Sequence, residues 1–229
     1  MLSFRQANTK PLSAADTQWE LFMRGFPQPL VLAPSRPALA PEPFVLFHTQ
    51  RQSYSTVHVI DCRPKVRTIH ILAAGRYMHE LRLSYPHTVF IAELANYGNR
   101  PQFVGAYIFY RNAPLRSFDD TVYETNLPNV VFREGICTGD TADLQRAINA
   151  ATTDDSIARA ILADYFERPF SDHALDHWRR SRTLHPAFQS FADWQTYSQR
   201  DPGFILRVPW RPLGTLREQL RDLFRGFNV

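Results

Sequence analysis

The patterning of apolar residues predicts an α+β fold for this 229-residue chain, with an antiparallel β-meander first and helices packed on one face or end of it. Two observations carry this. From Phe44 to Tyr110, runs rich in Val, Ile and Phe alternate with turn-like breaks, as strands do. After Cys137, apolar residues recur every three or four positions, as they do on helices. The composition supplies a core: 44% of residues are apolar, 13% aromatic and 21% charged, which excludes disorder across the whole chain. At this length about 70% of the unfolded chain's surface is expected to be buried, so stability calls for no disulfide or metal.

Residues 1–43 are broken by Pro11, Pro27, Pro29, Pro34, Pro37, Pro41 and Pro43 around one candidate helix at 14–24, and read as an N-terminal Pro-rich extension that wraps the body. Strands are predicted at 44–49, 56–61 and 68–73. The clearest pair is 87–94 (HTVFIAEL) with 103–110 (FVGAYIFY), an antiparallel hairpin whose turn lies among Asn96, Gly98, Asn99, Arg100 and Pro101. Strand character ends near Leu127. Helices are predicted at 141–151 and 154–167, each opened by Asp or Thr capping candidates, and at 173–182, 186–199 and 216–227. In the last, Leu216, Leu220, Leu223 and Phe227 make one apolar stripe against Arg217, Arg221 and Arg225. The chain thus divides into the extension 1–43, an α+β domain 44–182, and a C-terminal helical extension 183–229 packed on it.

Nine glycines against 17 prolines, with no GxxxxGK[ST] or GxGxxG string, argue against a Gly-rich phosphate cradle. Two cysteines, Cys62 and Cys137, in neither a CxxC nor a Cys/His zinc spacing, point to a reducing compartment. No apolar h-region opens the chain and no long uninterrupted apolar window occurs, so neither signal peptide nor membrane span is expected and the expected location is cytoplasmic. The net charge of +4 is spread along the chain, and the basic residues are two lysines, Lys10 and Lys65, against 24 arginines. A GC-rich genome accounts for that skew.

The sheet-to-helix junction is where chemistry is expected, because reactive groups tend to sit on connections held by a rigid scaffold. It carries Leu127-Pro128-Asn129 and Gly135-Ile136-Cys137. Cys137 falls a few residues before a helix expected to start at Asp140 or Thr141, whose N-terminus favours a thiolate while the charge of Asp140 opposes it. Two fates are open to this cysteine: an accessible nucleophile among small and polar neighbours, or a small hydrophobe in the core. Cys62, following the apolar run VHVID, belongs to the core. Asn129 is either an amide donor for developing negative charge or simply part of a Pro-Asn turn.

Leu127-Pro128-Asn129-Val130, with Cys137 ten residues after Leu127 and preceded by Gly135-Ile136, resembles the active-site string of ubiquitin-conjugating enzymes, in which His-Pro-Asn precedes Ile-Cys at that separation. The run from Pro86 through Asp140, with Asn99-Arg100-Pro101, Thr121-Val122-Tyr123 and Cys137-Thr138-Gly139, is similar to the bacterial branch called prokaryotic ubiquitin-conjugating family D, or the PRTRC system protein B type. Members of that branch lack the motif histidine and carry one C-terminal to the cysteine; Leu127 and His173, in YFERPFSDH, fit both points. The likeness covers about 44–178. It departs from the eukaryotic pattern in Leu127, in the glycine displaced by one place from Glu134 to Gly135, and in the absence of Leu-Asp after the cysteine.

The resemblance implies a ubiquitin-conjugating-enzyme-like antiparallel β-meander with flanking helices, extended at both termini. It implies a transferase that accepts a ubiquitin-like protein as a thioester on Cys137 and passes it to an amine, with Asn129 as oxyanion donor and His173 as a supporting group. The implied partners are a ThiF-like activating enzyme, a ubiquitin-like modifier and a JAB-type peptidase; no cofactor or metal is implied. Scarcity of lysine suits a carrier of an activated carboxyl.

The alternatives are of other classes. A non-catalytic module of the same fold would bind the ubiquitin-like protein without forming a thioester. His173 and His177, spaced i,i+4 beside Asp176, lack a third strong metal ligand in sequence. Hydrolase chemistry lacks a GxSxG elbow. A nucleic-acid role would use Arg207, Arg211, Arg217, Arg221 and Arg225, but the interleaved Glu218 and Asp222 read as a salt-bridged helix face instead.

Overall fold

The computed structural model describes residues 43–73, 77–97, 100–171, 176–224 and 227. The candidate helix at 14–24 lies outside them, as does His173. Within them the protein is mixed α+β, built on an antiparallel sheet.

Six strands come first: β1 (Phe44–Arg51), β2 (Ser55–Cys62), β3 (Lys65–Ala73), β4 (Tyr77–Tyr85), β5 (His87–Tyr97) and β6 (Arg100–Arg111). The meander is interrupted. β1, β2, β5 and β6 lie side by side and antiparallel in the main sheet, whereas β3 and β4 leave it as a hairpin that forms a second sheet. The predicted hairpin forms in longer strands, with register closing at Tyr97↔Arg100. β4 was not anticipated from sequence, although its alternation is of strand type: Leu81, Leu83 and Tyr85 are fully buried and Arg82 is exposed.

Beyond β6 the chain adds the short strands β7 (Thr121–Tyr123), β8 (Val130–Val131) and β9 (Gly135–Ile136), then helices α1 (Ala142–Ala150) and α2 (Asp154–Glu167). α2 opens on a capping box in which the Thr153 hydroxyl accepts from the Ser156 N–H at 3.1 Å. Contrary to a wholly helical second half, two strands follow the first helices. β10 (Phe170–Ser171) pairs parallel with β3, and β11 (Pro212–Thr215) pairs antiparallel with β7. Both are too short for a period-2 pattern to emerge from sequence. Between them are α3 (Asp176–Ser181) and α4 (Phe191–Arg200), and α5 (Leu216–Leu223) follows β11.

Period-2 alternation sorts the main sheet into two faces. Val57, Val59, Val89 and Ile91 face Leu216, Leu220, Phe224 and Phe227, so the predicted apolar stripe does cover one side. Ile60, Cys62, Phe90 and Ile108 face a larger core shared with Ile69, Ile71, Leu81 and Leu83 of the second sheet, Leu162 and Phe166 of α2, and Trp178, Phe191 and Trp194. Cys62 is fully buried there, as expected. Residues 187–210 therefore contribute to the same core as residues 60–178.

The exposed edge of β4 is covered by α4. Backbone N–H groups of Arg82 and Ser84 donate to Gln195 Oε1 and Ser198 Oγ, each at 2.8 Å, and the Trp194 indole N–H donates to the Ser84 carbonyl at 3.2 Å. Side chains thus satisfy a ladder that would otherwise be left open for another strand.

Candidate active site

The junction forms a compact, strained loop. Leu127 is fully buried in the core, and Pro128 directs the chain into Asn129, whose φ of 64° lies in the left-handed region that asparagine tolerates better than most residues. β8 and β9 then pair through Val130↔Ile136 and Val131↔Gly135, and β9 is held against β6 at Tyr107↔Gly135. The turn between them (Phe132–Glu134) contains Arg133 at φ 58° and Glu134 at φ 60°. Three left-handed non-glycine residues within six positions store strain of about 1–3 kcal/mol each, which the docked strands must hold in place.

Cys137 leaves this hairpin at the surface: its side chain is exposed and its thiol is free. Its N–H donates to the Asn129 carbonyl at 2.7 Å, so the two residues are backbone partners. The chain continues through Gly139 (φ 57°), and the Asp140 carboxylate accepts the Ala142 N–H at 2.9 Å, so the start of α1 is satisfied from outside its first turn. The helix opens at Ala142 after Thr141, one or two residues later than expected.

Cys137 and Asn129 line one groove of about 290 Å³. Its walls are apolar, from Phe103 and Ala106 on β6, Leu144 on α1 and Ile161 on α2. Arg168, just past α2, also lines it. Its Nη1 donates to the Thr138 carbonyl at 2.5 Å and its Nε to Asp164 Oδ1 at 2.8 Å. The parallel pairing of Phe170 with Ile71 fixes where this arginine emerges. Arg168 was missed in the sequence reading; the i,i+4 spacing of Asp164 and Arg168 was its only signal.

The same loop holds a second polar group at its back. Glu134 is 4% exposed, and its Oε2 accepts from the Thr125 hydroxyl at 3.1 Å and from the Thr125 N–H at 3.4 Å. Burial outweighs these bonds and pushes its carboxyl up to about 8. His177, 6% exposed, places Nδ1 3.3 Å from Glu134 Oε1 and 3.6 Å from Glu124 Oε1. Burial holds its imidazole below the ordinary histidine range, helped by Arg180 and opposed by Glu124. His177 therefore meets these two glutamates, and backbone hydrogen bonds with Val131 and Thr125 also act on its ring. Sequence reasoning had set it beside Asp176 and His173.

The terminal arginines do not form an open basic face throughout. Arg217 Nε donates to Asp119 Oδ1 at 2.7 Å, Arg207 is ion-paired with Asp201, and Arg211 donates to the Arg180 carbonyl. Compared with protein-family models, curated proteins and solved structures, the chain has no match.

Proposed function

We propose that this protein is a ubiquitin-conjugating-type acyl carrier with a ubiquitin-conjugating-enzyme-like fold, in which Cys137 accepts the C-terminus of a ubiquitin-like protein and transfers it to an amine. The observation that carries this reading is a solvent-exposed thiol on a strained, strand-anchored loop, sharing an apolar groove with Asn129, to which it is hydrogen-bonded through the backbone. Such loops are where backbone strain accompanies function, and a reactive cysteine needs access.

In the first step the Cys137 thiolate attacks the carbonyl of the modifier's thioester on a ThiF-like activating enzyme. The tetrahedral oxyanion collapses, expelling that enzyme's thiolate. In the second, an acceptor amine attacks the Cys137 thioester, loses a proton and expels the Cys137 thiolate. Thioester exchange is close to isoenergetic, so positioning governs its rate. The groove would hold the modifier's tail, and the Asn129 amide would donate to the oxyanion. Arg168 would position the loop through the Thr138 carbonyl. His173 remains the proposed supporting group.

The test is a non-reducing gel with ATP, a ThiF-like activating enzyme and a ubiquitin-like protein. A thiol-sensitive adduct, absent in Cys137→Ala and converted to a thiol-resistant ester in Cys137→Ser, is the expected result. Reversible binding without an adduct would establish the non-catalytic module instead, a reading favoured by Leu127 standing where ubiquitin-conjugating enzymes carry the motif histidine.

A further inference from the structure

A second cavity, of about 620 Å³, shares none of its lining residues with the groove at Cys137. Glu134 and His177 lie in its wall, together with Asp176, Asp222, Arg133 and Arg180. Glu124, Glu134 and His177 each offer one ligating atom, all within 4.8 Å of one another. We propose that Glu134, His177 and Glu124 are a binding site for one divalent transition-metal ion of the zinc class, entered through this cavity.

Three features support it. Ligand atoms bound at about 2.0–2.1 Å in a tetrahedron lie about 3.3–3.4 Å apart. His177 Nδ1 stands 3.3 Å from Glu134 Oε1 and 3.6 Å from Glu124 Oε1, so two edges of such a tetrahedron are already nearly formed. His177 is 6% exposed, and its Nδ1, the atom nearest both carboxylates, makes no hydrogen bond and is left open to a ligand. The other Glu134 oxygen is held by Thr125, the kind of outer contact that orients a metal-binding carboxylate. The donor set, one imidazole and two carboxylates, leaves a fourth position open to water and suits zinc better than calcium or magnesium, which favour all-oxygen shells.

One group opposes the ion. Arg180 Nε donates to Glu124 Oε1 at 2.6 Å, so a guanidinium already compensates that carboxylate. Metal entry requires Arg180 to turn away, which its 41% exposed side chain can do, since the cavity lies beside it. Arg180 therefore sets the affinity by competing for Glu124.

The experiment titrates metal-free full-length protein with Co²⁺ and Zn²⁺ alone, in a Cys137→Ser background so that the thiol cannot act as ligand. Binding is read by calorimetry and by the visible Co²⁺ spectrum. One saturable site with a tetrahedral or five-coordinate Co²⁺ band is expected, weakened about a hundredfold in Glu134→Gln and in His177→Gln. Arg180→Ala, at a surface position that leaves the core intact, should tighten binding about tenfold. If a buried-site variant fails to fold, the arginine variant and the X-ray absorption of the bound zinc, with a nitrogen and oxygen shell containing imidazole, still decide. Absence of saturable binding, affinity unchanged in Glu134→Gln, or no gain in Arg180→Ala would overturn the site and leave Glu134 and His177 as a carboxyl–imidazole pair bracing the loop.

Discussion

The two cysteines provide the simplest residue-scale test. Cys137 is exposed and Cys62 fully buried, so iodoacetamide under native conditions should add one label, at Cys137, with the second appearing only after denaturation. Two labels in the native protein would contradict the packing of β2, and none would remove the proposed carrier. Arg168 ties the loop after Cys137 to the end of α2, so Arg168→Ala should slow thioester formation by about tenfold while leaving the melting temperature within a few degrees. Hydrogen exchange at 137–140 should rise in the same variant, which a simple loss of stability would not confine to that loop. Leu127 is packed in the large core, and Leu127→Ala should cost about 2–5 kcal/mol in urea unfolding. Leu127→His should not enhance activity; it should destabilise at least as much, because the imidazole would be buried among hydrocarbon.

Among the elements, the junction of β1, β2 and α2 holds a histidine with a clear pH signature. His58 on β2 is fully buried, with Thr49 of β1 at 3.0 Å from its Nδ1, Arg51 of β1 and Asp154 at the start of α2 as the charges acting on it. Burial, with Arg51, outweighs Asp154 and lowers its proton affinity. The unfolded chain then takes up a proton that the folded chain resists, so stability is present above the ordinary histidine value near 6.5 and is lost as pH falls through it. The difference in unfolding free energy between the protein and His58→Gln should change by at most about 1.4 kcal/mol per pH unit, confined to the acid side of neutrality. A difference that stays flat from pH 8 to pH 5 would refute the assignment. The strands show how local signals succeed and fail. β5 and β6 were legible because each is long and apolar with a Gly/Asn break between them. β10 and β11 were not, since two to four residues cannot display a period and their pairing partners lie far away in sequence.

At the scale of the molecule, the C-terminal segment completes the sheet and covers it. β11 extends the main sheet beside β7, and α5 buries Val57, Val59, Val89 and Ile91. Removal of residues 212–229 should therefore expose one whole sheet face, replacing cooperative thermal unfolding by aggregation or a broad transition. Survival of a sharp transition would mean that this face is stable uncovered. The sequence by itself determined the α+β class, the main hairpin, the first two long helices and the Pro-Asn to Cys spacing, because each is written in neighbouring residues through period, capping and turn chemistry. Only the tertiary structure decided between the two fates open to Cys137, that Arg168 latches the loop, and that His177 meets Glu124 and Glu134. Those facts depend on contacts between residues dozens of positions apart, and no local pattern encodes which distant side chains a packed core will bring together.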